Sequence, residues 1–173
     1  MVAGGTVWAF QQPTLERLPN IDKRQSQSAL SNAVPATQVA AAARVLGATA
    51  NVRIDYDAVI GSPKWIASPG GFLTGPDGSG LSPATLAAVP AQDPYRVTTA
   101  YLQEHQDLFG YGPAVLAAAR IKREFTTPHN SMHTVVWEQN VDQISVFEAL
   151  LISHTTKNGE LVSVGSTLLP NAI

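Results

Sequence analysis

A chain of 173 residues that is 45% hydrophobic and 14% charged can bury a core of its own, and that balance excludes global disorder. Its formal net charge of -2, with no basic stripe, lacks the electrostatic footprint of nucleic-acid binding. With no cysteine, disulfide frameworks, thiolate catalysis and cysteine-ligated zinc are excluded as well.

Residues 1–35 carry no sustained period, are rich in Gln, Ser, Asn and Pro, and read as an extended arm. Residues 1–10 lack the basic and long apolar regions of an intact signal peptide, and no apolar run reaches the length of a membrane span. An Ala-rich helix is expected over 37–46, with Val39, Ala42, Ala43 and Leu46 on its apolar face and Gly47 as its stop. Val52, Ile54 and Tyr56 then alternate with Arg53, Asp55 and Asp57, the period of a half-buried strand. Gly61-Ser62-Pro63 turns the chain into a second strand around Trp65, so that 36–66 forms a small helix–strand element.

Residues 67–92 are punctuated by Pro69-Gly70-Gly71 and Gly75-Pro76-Asp77-Gly78-Ser79-Gly80 and read as a connection. Asp93-Pro94 then has the form of an N-cap followed by proline at the first helical position. Val97, Tyr101, Leu102, His105, Leu108 and Phe109 recur at three- and four-residue steps, and Gly110 ends that helix. A short helical turn is expected at 113–119, then strands over 121–126, 133–140, 144–155 and 161–168. Asn158-Gly159 is the dipeptide that best supplies positive φ at both centres of a two-residue hairpin turn. The expected fold class is α+β, an antiparallel sheet of about four strands on one helix over 93–173. Ala149, Leu150, Leu151 and Ile152 are apolar at consecutive positions, so both faces of their strand need cover.

No catalytic constellation can be written. His129 and His133 have the spacing of two metal ligands on a helix, but Pro128 and a strand pattern surround them and no third ligand is indicated. The loop at 75–80 lacks the lysine of a phosphate cradle. There is neither a Gly-x-Ser-x-Gly elbow nor a His-Glu-x-x-His segment. His105 lies on an apolar helix face and reads as a packed histidine; Asp55 and Asp57 fit a solvated strand face as well as a cation site.

The strand 136–139 ending in Gln139, the turn 140–143, Ile144-Ser145-Val146-Phe147 and a hairpin closed by Lys157-Asn158-Gly159 resemble the propeptide motif of fungalysin- and thermolysin-type metallopeptidases. His133, ahead of the strand's hydrophobic centre, fits the same pattern. Leu18-Pro19-Asn20-Ile21-Asp22-Lys23-Arg24, Leu108-Phe109-Gly110, and residues 52–57 with Gly61-Ser62-Pro63 are similar to other pieces of fungalysin prosegments. The chain departs from the pattern at Gln143 and Glu148, where glycine is usual, and at Ser145, where proline is usual.

One helix followed by four strands suggests a cystatin-like unit, and the resemblance implies that it is a fragment of the N-terminal prosegment of a secreted zinc metalloendopeptidase. Such a segment acts as intramolecular chaperone and inhibitor of its own catalytic domain. This segment would hold no catalytic residue and no cofactor; the zinc and the His-Glu-x-x-His would belong to a downstream domain, and an export signal would have been removed. Asp22, Arg24, Ala149, Leu150, Leu151 and Ile152 are the candidates for contact with the peptidase domain, and His133, Gln139, Phe147, Asn158 and Gly159 the residues that build the motif. Phe147 is expected to hold the hairpin by burial, and Gln139 by bonding turn backbone. Two other readings compete: a free-standing extracellular or envelope binding module with the same sheet, and a small enzyme using the open sheet face as a pocket. A His-Glu-x-x-His segment downstream in the same reading frame discriminates the first reading from both.

Overall fold

The structure, a computed structural model, describes residues 34–170; the expected arm falls almost wholly outside them. Helix α1 (Ala36–Ala48) buries Gln38, Ala41, Ala42 and Val45, while Val39 and Leu46 of the expected face are exposed. The cause is Gln38, whose Nε2 donates to Gly61 O at 2.9 Å and to Leu108 O at 3.0 Å. A buried amide with two acceptors is stable inside, and seating it turns the helix by about one residue, ~100°. Gly47 lies within the helix rather than ending it.

Strands β1 (Arg53–Tyr56) and β2 (Pro63–Ala67) form the early hairpin. In its turn the Asp57 carboxylate accepts from Val59 N at 2.8 Å and Ile60 N at 2.9 Å. Those backbone donors, Ile60 foremost, hold its carboxyl below the usual range, so Asp57 serves the turn.

The Gly/Pro-rich connection is packed, with a 3-10 turn (Pro76–Gly78) and helix α2 (Pro83–Ala88), N-capped by the Ser82 hydroxyl. Leu73, Leu81 and Val89 join the core. Leu73 N donates to Leu161 O at 2.6 Å, Leu161 N to Thr74 Oγ1 at 3.0 Å and Asp77 N to Asn158 O at 3.1 Å, fastening the connection to the strands that follow.

Helix α3 (Arg96–Glu104) begins two residues after Pro94. Asp93 still caps it, accepting from Tyr95 N at 2.8 Å and Thr99 Oγ1 at 3.2 Å. The helix expected to run on to Phe109 breaks at His105 (φ -112°, ψ 25°), and α4 (Gln106–Phe109) follows, closed by Gly110 in the left-handed region. A short α5 (Ala114–Ala118) completes five helices among the described residues.

The four expected strands appear as β3 (Arg120–Thr126), β4 (His133–Val141), β5 (Ile144–Thr155) and β6 (Leu161–Ser166). The sheet nevertheless has six strands, all antiparallel, in the order β1-β2-β6-β5-β4-β3. The early hairpin adds to it because Trp65, Ile66 and Ala67 pair with Gly165, Val164 and Ser163. Ile66, Val164, Leu151, Ala149, Val135 and Trp137 share one buried cluster with Ala100, Tyr101, Leu102, Leu108, Phe109 and Val115 of the helices. Leu151 is paired with Trp137, and Ser153 with both Val135 and Val164, so alternate residues of β5 face this core and the others face outward.

Asn158-Gly159 does not form the expected two-residue turn. Gly159 N donates to Thr156 O at 3.0 Å and Thr156 N to Glu160 O at 2.9 Å, and of this pair only Gly159 has positive φ (76°). This is a four-residue turn closed by a left-handed residue. A Cβ at Gly159 would lie 3.0–3.2 Å from Asp77 Oδ1, N and Cα, so the close approach of the connection also requires glycine there.

Candidate interaction surface

The two-residue turn lies instead between β4 and β5. Val141 pairs with Ile144, and the residues between them, Asp142 (φ 49°) and Gln143 (φ 67°), both occupy the left-handed region. Positive φ at both centres is the type I′ geometry that matches strand twist. The turn carries apolar residues outward: Ile144 is 72% and Val141 36% exposed.

Phe147 is the principal correction to the sequence reading. It is 88% exposed, so burial does not hold the hairpin. Regular alternation would place Phe147 on the side of Ala149 and Leu151, inside. The pairing shifts between Glu138 and Asn140, whose partners are Leu150 and Ser145, which leaves extra β5 residues unpaired. Within that bulge Glu148 takes a φ of 56°, Val146 packs against the core and Phe147 points out. A shift of one residue exchanges the faces. Thr167 fixes the bulge: its hydroxyl donates to Glu148 O at 2.5 Å and accepts from Leu150 N at 3.1 Å.

Gln139 does bond backbone, but not that of the turn. Its Nε2 donates to Leu169 O at 3.1 Å and its Oε1 accepts from Leu169 N at 2.9 Å, clamping the segment after β6 with a buried amide. Beside it the buried Glu138 carboxylate receives Lys122 Nζ at 2.7 Å and Arg120 Nε at 2.8 Å. The Lys122 ammonium, then the Arg120 guanidinium, hold its pKa down to about 2. His133 opens β4 and bonds Glu124 at 2.9 Å.

The partner-contact candidates divide by face. Ala149 and Leu151 are inside the core, whereas Leu150 and Ile152 are half-buried on the outer face. There Trp65, Gly165, Ile152, Val136 and Arg123 form one cross-strand row. Gly165 makes room for the indole: a Cβ there would lie 2.8 Å from Trp65 Cε3. Trp65, Leu150, Ile152, Thr167 and Glu148 line an open depression of about 410 Å³, whose rim therefore reaches the residue after Phe147. Asp22 and Arg24 lie outside the described residues.

Sequence reasoning missed Val141, Ile144 and Trp65 as surface residues. The available signal was the apolar pair flanking Asp142-Gln143, where a solvent-exposed turn ordinarily has polar neighbours. Among the described residues there is no cluster of three or more potential metal ligands, and no helix is long and apolar enough to cross a membrane. Comparison with known protein families, with curated proteins and with solved structures finds no match for this chain.

Proposed function

We propose that this chain is the prosegment of a secreted zinc metallopeptidase, assisting the folding of its own catalytic domain and inhibiting it until removal. The reading takes helix α3 and strands β3–β6 as a cystatin-like unit, to which the β1–β2 hairpin is added. The observation that carries it is the backbone of the motif segment. The propeptide pattern has glycine where this chain has Gln143 and Glu148, and both residues adopt left-handed φ, 67° and 56°. Glycine is favoured at such positions because it has no Cβ. Ordinary residues thus occupy here the backbone conformation that glycine favours, which supports the reading.

The same geometry supports a docking role. It turns Val141, Ile144 and Phe147 outward on a hairpin fixed by a type I′ turn at one end and the Thr167 hydroxyl at the other. Exposed aromatic side chains on a rigid element are the usual anchors of protein interfaces. A free-standing binding module would use the hairpin equally well, so the test must involve a peptidase. Residues 1–173 should inhibit the zinc peptidase domain encoded downstream in a dose-dependent way, and Phe147→Ser should weaken that inhibition. A folded chain that leaves a cognate zinc domain fully active at saturating concentration would defeat the inhibitor assignment.

A further inference from the structure

We infer that the cavity beneath the first turn of α3 is a binding site for a carboxylate. It is a half-open cleft of about 490 Å³ between that turn and the end of the sheet where β3, β4 and β5 meet. The strand register builds its floor. Thr126, His133 and Thr155 are cross-strand partners in one row, and Val135 and Ser153 pair in the next core-facing row. Over them lie Tyr95, Arg96, Val97 and Thr98, with Lys157 contributed by the β5–β6 turn.

The cavity is supplied with donors that nothing among the described residues accepts. Arg96 N donates to Asp93 O and Thr99 N to Tyr95 O, but the amides of Val97 and Thr98 have no backbone acceptor among the described residues. They are first-turn N–H groups of a nine-residue helix, at its positive end. Independently of the helix, Ser153 on β5 is only 2% exposed and lines the cavity, and its hydroxyl has no hydrogen-bond partner among the described residues. Thr98, equally buried, repeats this from the helix side. Arg96 Nε is buried without an acceptor, while its Nη2 is anchored on Leu86 O at 2.9 Å.

The charges select the ligand. Arg96 and Lys157 face Asp77 and Asp93 around the cavity, so the lining carries no excess positive charge for a dianion. The Asp93 carboxylate is already occupied by Tyr95 N and Thr99 Oγ1. What remains is a set of N–H and O–H donors on residues that line one cavity, suited to the two oxygens of a single negative group. That group can belong to a free small acid or to the C-terminus of a peptide.

The test uses isotopically labelled 1–173, titrated separately with acetate, with an N-acetylated dipeptide bearing a free C-terminus, and with the same dipeptide amidated. The site requires saturable displacement of the Val97 and Thr98 amide resonances by the two carboxylates and none by the amide. Saturation by acetate as tight as by the dipeptide assigns a small acid; dipeptide binding ~10-fold tighter assigns a peptide terminus. Arg96→Gln should weaken binding ~10-fold or more, and Lys157→Gln, on an exposed turn, supplies a variant whose folding is not in question. Unsaturated or scattered shifts, equal response to the amidated peptide, or wild-type affinity in both variants would overturn the assignment.

Discussion

Phe147→Ser separates a docking side chain from a packing one. At 88% exposure only about 12% of the residue is covered. For a Phe side chain of about 200 Å² that is about 24 Å², or about 0.6 kcal/mol at 25 cal/mol per Å². Leu151, fully buried on the same strand, is the internal reference, and Leu151→Ala should cost about 3–5 kcal/mol. With a urea dependence of about 2 kcal/mol/M, the midpoint should fall by about 0.3 M in the first variant and by more than ~1 M in the second. Binding should respond in the opposite order of concern. A partner that covers the ring would lose about 2–4 kcal/mol on its removal, a weakening of inhibition by ~30-fold or more. A stability loss above ~2 kcal/mol for Phe147→Ser would refute the outward geometry of the bulge, whatever the inhibition assay returned.

Three further perturbations test the elements around the hairpin. Gln139→Leu removes both partners of the Leu169 backbone and should cost about 1–3 kcal/mol, with faster hydrogen exchange at Leu169; unchanged exchange would remove the clamp from the account. Gln143→Gly relieves a left-handed φ of 67° and should raise stability by about 0.5–1 kcal/mol, roughly 2 °C in Tm, after the entropic cost of glycine. For pH dependence the signs follow from the shifted groups. Glu138, lowered from 4.5 to about 2, contributes stability that is complete above pH 4.5 and is lost as pH falls towards 2. His105 and His154 are held below 6.5 by burial, so they favour the folded state at neutral pH and oppose it as pH falls below 6.5. Urea midpoints measured across this range should decline in two stages, and Glu138→Gln should shrink the lower one, leaving the part that Asp57 and Glu104, also lowered, contribute; a lower stage unaltered by the substitution would contradict the roles given to Lys122 and Arg120.

Much of the sheet was legible because its signals are local. Alternation and β-branched content located β3 to β6 to within a residue or two, and Gly110 ended the helical segment where a left-handed cap was expected. What failed was non-local. The pairing of Trp65 with Gly165 joins segments far apart in the chain, and nothing in either segment names the other. The face of α1 was misjudged for the same reason: a polar Gln38 is buried because Gly61 and Leu108 offer carbonyl oxygens to it, and hydropathy cannot register acceptors supplied from elsewhere.

The candidate surface was obscured by backbone rather than by side chains. Ile144-Ser145-Val146-Phe147 reads as a strand whose aromatic residue belongs inside, and with unbroken alternation Phe147 would share a face with Leu151. One bulge reverses that, and its cause is split between a left-handed Glu148, which sequence preference argues against, and a hydroxyl from Thr167 that arrives from beyond β6. The same substitution of ordinary residues for glycine hid the type I′ turn at Asp142-Gln143 and drew attention to Asn158-Gly159, where glycine serves a close approach to Asp77 as much as a turn. Left-handed non-glycine residues carry a conformational cost of about 1–2 kcal/mol each. Three of them within residues 142–148 concentrate that cost on the hairpin that presents Val141, Ile144 and Phe147. Folding stability alone would favour glycine at those positions. Keeping Asp142, Gln143 and Glu148 is reasonable for a hairpin whose side chains contact a partner, and the Gln143→Gly variant weighs the two: a more stable chain that inhibits less would place the side chain in the interface.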